Sequence, residues 1–306
     1  MDEASRFVRI IFVLLLGILL PLQNLATWVG RISPSNIEFM LNTQKQSLNW
    51  SIAGNASGKN PNILSELVWE QLGSIGIDLK PVWLLDNNIS ISTPVSFSRV
   101  VCGTVSDSDY EGDNRASRVF FYQTSVSEGY SYHFFPNIGY RLRLLNPLEI
   151  RVQVGYVSAA QKFYLKDDQL MENGVPLNST YQTYWQGPGF SVETSIQLLH
   201  NISAGFGIHY YQVHYRAKAD WNLLKSVAHP VSFTHQAKGY GLEFDFQLRR
   251  ELNERIQLLF NTGSSHWCTG LGIDRLYKSD GTVLQTRLNK VVYHDLVTRI
   301  GISVSF

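Results

Sequence analysis

The sequence predicts an all-β protein, a ten-stranded antiparallel transmembrane β-barrel, and three observations carry that expectation. Apolar and polar residues alternate with the period of a strand in most of ten segments. The connections alternate as well, with long polar stretches near residues 55, 110, 172, 225 and 278 and tight turns near 81, 146, 200 and 252. That is the rhythm of a barrel with short turns at one mouth and long loops at the other. Finally, the face opposite the large apolar side chains carries Arg141, Arg143, Arg151, Glu193, Glu243, Asp245 and Arg249. A soluble sandwich would bury that much charge in its core, whereas a barrel turns it into a polar lumen. Ten strands enclose a narrow or occluded interior, too small for a wide diffusion pore.

Composition agrees. The 306 residues are ample for a closed barrel, and a hydrophobic content of 44% fits a sheet in which only alternate residues face lipid. The formal net charge of +1 creates no global field that would favour nucleic acid. Residues 10–21, IIFVLLLGILLP, form a short apolar run preceded by Arg6 and Arg9. This layout predicts a signal peptide over residues 1–26, cut near Ala26, with one barrel domain and five long external loops over 27–306.

The elements follow in order. The first strand is expected over 36–52, ended by the turn cluster NASGKNPN (55–62). A second strand runs over about 64–80, closed by Lys80 and Pro81, and a third begins near Trp83. Ile89, Ile91, Thr93, Val95 and Phe97 alternate there with serines, and Pro94, which lacks a ladder donor, marks a break or bulge. Residues 104–118 read as a long polar loop. A fourth strand covers about 127–144, and a tight LNPLE turn leads to a fifth with Ile150, Val152, Val154 and Tyr156 on one face. Residues 166–180 read as another polar loop. The sixth strand spans about 181–199. The seventh starts at Ile202, with Ala204, Phe206, Ile208 and Tyr210 outward, and continues toward Arg216. The eighth places Leu242, Phe244, Phe246 and Leu248 against Glu243, Asp245, Gln247 and Arg249, and the ninth runs from Ile256 to Trp267. Residues 268–289 form an excursion, part of which is able to extend its flanking strands. Tyrosines and Trp185 near the strand ends (Tyr130, Tyr132, Tyr181, Tyr184, Tyr210, Tyr211 and Tyr215) look like aromatic girdles. Cys102 and Cys268 sit on distant strands and have no metal-site spacing.

The final segment, VVYHDLVTRIGISVSF, alternates Leu296, Thr298, Ile300, Ile302, Val304 and Phe306 against Val297, Arg299, Gly301, Ser303 and Ser305. A terminal Phe on such a strand resembles the closing strand of bacterial outer-membrane barrels. The resemblance implies the outer membrane of a Gram-negative bacterium, a monomer among outer-membrane lipids, and Phe306 as the mark read by the barrel assembly machinery.

One loop pattern carries chemistry. Asp107 and Asp109, at i and i+2 of the SDSDYEGD stretch, share one face of an extended chain, and two close carboxylates split their pKa values and orient a water. The solvated-loop reading of the same acids stands beside it. Together with SELVWEQLGSIGIDLKPVWLLDNNISIS, RVQVGYVSAAQKFY and IHYYQVHYRAKADWN, this stretch resembles the omptin family of outer-membrane proteases over most of the mature chain. The resemblance implies a first acid pair at Asp107 and Asp109 and a second at Asp220, with Asn222 where the family has its histidine. It also implies lipopolysaccharide contacts through Arg115, Arg118, Arg216 and Lys218. An amide has no titrating nitrogen near neutral pH, and losing a general base costs about 10²- to 10⁴-fold. His229, His235, His209 and His214 are the histidines placed to replace it. The expectation is an outer-membrane barrel with a surface, structural or porin-like role and no protease activity. The alternative is an endopeptidase using Asp-activated water.

Overall fold

The computed structural model describes residues 34–85, 88–145 and 147–306, without the side chains of 143–145. The signal segment expected over 1–26 lies outside the described residues, as does the orientation of Arg143. The strands are β1 Asn36–Ile52, β2 Ser65–Leu84, β3 Ile89–Ser92, β4 Val95–Tyr110, β5 Arg118–Ser125, β6 Gly129–Phe134 and β7 Asn137–Leu145. They continue as β8 Leu148–Glu172, β9 Val175–Leu199, β10 Ile202–Asp220, β11 Phe233–Glu251, β12 Ile256–Tyr277 and β13 Val283–Ser305. Every pairing is antiparallel, and β1 meets β13 from Asn36 opposite Ser305 to Ile52 opposite Leu288, which closes the sheet. The ring has ten positions, because β3 and β4 share one wall and β5, β6 and β7 share the next.

Those interruptions have local causes. Pro94 separates β3 from β4, and its carbonyl takes the Phe135 amide at 3.1 Å in place of a ladder bond. Pro136 does the same between β6 and β7, accepting from Tyr156 N at 3.2 Å. Two stretches expected as loops are largely strand. Residues 104–110 extend β4, which pairs with β5, and residues 166–180 form the tip of the β8–β9 hairpin. Asn173 (φ 52°) and Gly174 (φ 77°) close that tip as a two-residue turn with both φ positive, the geometry that an Asn-Gly pair favours. Polar composition signalled solvent here, not irregular backbone. Most of 268–289 likewise lengthens β12 and β13.

The wall changes character along its height. In the half nearer Asn36 and Ser305, Phe39, Ile77, Phe206, Phe244, Phe246 and Ile300 are exposed on the outside, as lipid-facing residues must be. Inside, Arg249 Nη2 meets Glu38 Oε1 at 2.6 Å, Arg299 Nε meets Asp78 Oδ2 at 3.1 Å, and Arg151 and Lys80 both approach Glu193. The other half corrects the expectation of a polar interior throughout. Trp50, Trp69, Phe163, Tyr181, Trp185, Tyr211, Tyr215, Phe233 and Trp267 meet there in one buried cluster. Tyr211 and Trp267 stack at 5.1 Å, Trp69 and Tyr181 at 5.5 Å, and Trp50 reaches Phe233 across the lumen at 5.6 Å. Strand β10 shows the reason. Phe206, Ile208 and Tyr210 point outward, and are succeeded on that same face by Gln212, His214, Arg216 and Lys218. Its inner face meanwhile passes from His209 to Tyr211, Val213, Tyr215 and Ala217. Beyond the bilayer the outer surface meets water, so the apolar residues turn inward. Tyr181, Trp185, Tyr211 and Tyr215 therefore fill the barrel and do not belong to a girdle; Tyr210 stays on the outside. Below the aromatic block lies a cavity of about 670 Å³, lined from Ser35 and Ser305 up to Tyr211, Trp267 and Tyr293.

Candidate functional site at the extracellular rim

Asp107 and Asp109 lie on β4 beyond its outermost lipid-facing residue, Val101. Asp107 stands opposite Leu67 of β2 and Tyr122 of β5, and Asp109 opposite Ser65 and Phe120. Val105, two residues before Asp107, is fully buried, so the acid pair continues the inward-facing row. Burial, helped by the charge of Asp109, pushes the Asp107 carboxyl up to about 7. Asp109 is raised by burial as well, opposed by a hydrogen bond from Ser65. Near neutral pH the Asp107 carboxyl is therefore partly protonated.

The second group forms where β10 ends. Asp220 Oδ1 lies 2.7 Å from His229 Nδ1, nine residues on in the connection to β11. Trp221 packs its ring on Phe233 at 4.9 Å, and its backbone amide donates to Ser232 Oγ at 2.8 Å, which holds the loop root against the block. Asn222, at the position of the expected histidine, is a clip. Its Oδ1 accepts from Asn178 N (2.8 Å) and Ser179 Oγ (3.1 Å), and its Nδ2 donates to the Pro176 carbonyl (2.9 Å). The amide is thus spent on tying the fourth loop to β9. A single row links the two acid groups. Asp107 neighbours Leu67, Leu67 pairs with Trp50, and Trp50 touches Phe233, which carries Trp221 beside Asp220.

The remaining histidines go elsewhere. His235 is fully buried, with Nδ1 2.8 Å from the Tyr181 hydroxyl and Nε2 3.3 Å from Asp274 Oδ1, and Tyr181 in turn meets Tyr215 at 2.6 Å. This buried Asp–His–Tyr–Tyr chain had no sequence signal, because its members come from four strands. His209 pairs with Asp245 at 2.9 Å in the lower lumen, and His214 faces outward opposite Lys238. Among the four expected cations, Arg115 is bound to Glu66 at 2.5 Å and Arg118 lies over the Phe121 ring at 4.4 Å. Arg216 and Lys218 stand on the outer face of β10 with no ion-pair partner among the described residues. Cys102 and Cys268 are both free thiols.

A closed antiparallel ring with an apolar belt outside, a charged lumen within, and the start of β1 and the end of β13 together at the short-turn mouth defines an outer-membrane β-barrel protein of a Gram-negative bacterium. The chain belongs to the Pom family, described as Protochlamydia outer membrane protein, whose model matches residues 41–306. No curated protein matches in sequence. Among solved structures, the chain is similar to the outer membrane protease OmpT from Escherichia coli, with a TM-score of 0.69 and 13% identity over 92% of this chain and 99% of that one. Looser matches include the translocator domain of the autotransporter NalP from Neisseria meningitidis (TM-score 0.39, 8% identity, 100% and 98% covered). A FadL homologue from Pseudomonas aeruginosa also matches (TM-score 0.29, 9% identity, 92% and 94% covered). At 13% identity the likeness to OmpT is one of fold.

Proposed function

We propose that this protein is a closed outer-membrane barrel with a surface or structural role, without protease activity and without a resting diffusion pore. The observation that carries the reading is the aromatic block. Trp69, Trp185, Tyr181, Tyr211 and Tyr215 are each buried to 1% exposure or less, and their contacts span the lumen from β1 to β11. Close packing of that kind supports a lumen without a water-lined path for ions. Purified folded barrel in a planar bilayer is expected to be silent, and Trp50→Ala combined with Tyr181→Ala is expected to introduce conductance steps. Reproducible steps from the unaltered protein would overturn this reading in favour of a porin-like role. On the same proposal, Arg216 and Lys218 supply the lipopolysaccharide contacts, since Arg115 and Arg118 are already engaged. Phe306, exposed beyond the closing strand, serves the barrel assembly machinery.

One observation favours a second reading, an omptin-like endopeptidase. His229 and Asp220 form a hydrogen-bonded pair at the rim, and Asp107 titrates near neutrality; these are the parts needed to activate a water. On this reading His229, not Asn222, is the base. Folded barrel supplied with lipopolysaccharide would then cleave a dibasic peptide and lose that activity in His229→Gln and Asp107→Asn. Absence of cleavage by the unaltered, heat-modifiable protein removes it.

A further inference from the structure

We propose that His266 and His294 form a surface site for a divalent transition-metal ion, one imidazole being supplied by each of two neighbouring strands. The two residues stand directly opposite each other on β12 and β13. His266 Nδ1 lies 3.2 Å from Nδ1 and 3.3 Å from Nε2 of His294, and the ring centroids are 4.5 Å apart at 44°. Two nitrogens bound to one ion at about 2.0–2.1 Å, with an angle between octahedral and tetrahedral, are themselves about 2.9–3.4 Å apart. The strands already hold the pair at that bite. A turn of the His294 ring that aims one nitrogen lone pair at the point shared with His266 Nδ1 completes the bite.

The surroundings leave the pair open to an ion. Two facing imidazole nitrogens bring acceptor lone pairs to one point, and a bound cation satisfies both at once. In the same outward row stand Leu242 of β11 and Ser47 of β1, and the next outward residue of β13 is the exposed Leu296, opposite Lys45. Beyond Ser47 the row reaches the β2 bulge with the exposed Glu70 and Gln71, and among the described residues neither histidine has an ion-pair partner. Asp295 and Glu243, the acids next in sequence to His294 and Leu242, alternate to the lumen side and line its cavity. No third His, Cys, Asp or Glu completes a metal cluster among the described residues, so water or a headgroup oxygen fills the other positions. Such a site exchanges its ion, and it lies at the outer end of the lipid-facing column Ile302, Ile300, Thr298 and Leu296.

The test uses folded barrel in detergent at pH 7.5, titrated with Zn²⁺ by calorimetry and loaded with Cu²⁺ for electron paramagnetic resonance. One dominant site is expected, with a two-nitrogen copper signature that disappears at pH 5.5 as the imidazoles protonate. His266→Gln and His294→Gln, both outward-facing and checked for heat-modifiability, are each expected to weaken Zn²⁺ binding by about tenfold or more. Unchanged affinity in both variants would assign the ion to other histidines and overturn the proposal. So would a copper signature of one nitrogen.

Discussion

Asp107→Asn isolates the electrostatics of the rim. In the folded barrel the Asp107 carboxyl titrates at about 7, against its ordinary value of 3.8, because burial and the neighbouring Asp109 disfavour its charge. Between those two pH values the folded state holds a proton that the unfolded chain releases, so stability falls as pH rises from about 4 to about 7. At about 1.4 kcal/mol for each tenfold change in proton affinity, the rise from 3.8 to about 7 sets an upper bound of about 4 kcal/mol. Asp107 is only partly shielded from water, and screening reduces the expected value to about 1–2 kcal/mol. Asparagine keeps the shape and removes the charge. The variant is expected to be more stable than the unaltered protein by that amount at pH 8, and equal to it at pH 4. Denaturant unfolding in lipid vesicles at the two pH values measures the difference. A variant with the same offset at both, or one destabilised at pH 8, would refute the assignment of a strained carboxylate.

Two further outcomes test the packing. Asn222→Ala removes three hydrogen bonds between the fourth loop and β9; a loss of about 1–3 kcal/mol in local stability is expected, seen as faster protease nicking between residues 221 and 232 while the barrel stays heat-modifiable. Arg249→Met leaves Glu38 buried without its partner at 2.6 Å and is expected to cost about 3–5 kcal/mol in unfolding, whereas adding Glu38→Gln recovers most of that loss.

The barrel was legible because lipid outside and water inside impose a period of two on every crossing strand. Phe244 and Phe246 against Glu243 and Asp245 announce that arrangement without any knowledge of neighbours, and Pro94 announces the break in the wall. Two signals were present and misleading. Asn173-Gly174 is a hairpin turn, but the acids before it made the stretch look like a loop. On β10 the alternation never stops; at Tyr210 and Tyr211 its sense reverses, and a period alone does not reveal which face is which.

The candidate site divides in the same way. That Asp107 and Asp109 share a face follows from their spacing, and the acidic character of the stretch from its composition. That Asn222 is a clip, that His229 alone among the four candidate histidines meets an aspartate at the rim, and that His266 faces His294 were decided by strand register. Register joins residues tens of positions apart, and pairing in a closed ring depends on where every other strand has already settled. The period of a strand is a local consequence of backbone geometry and belongs to the sequence; the partner across the ladder is a property of the whole ring, and only the folded barrel assigns it.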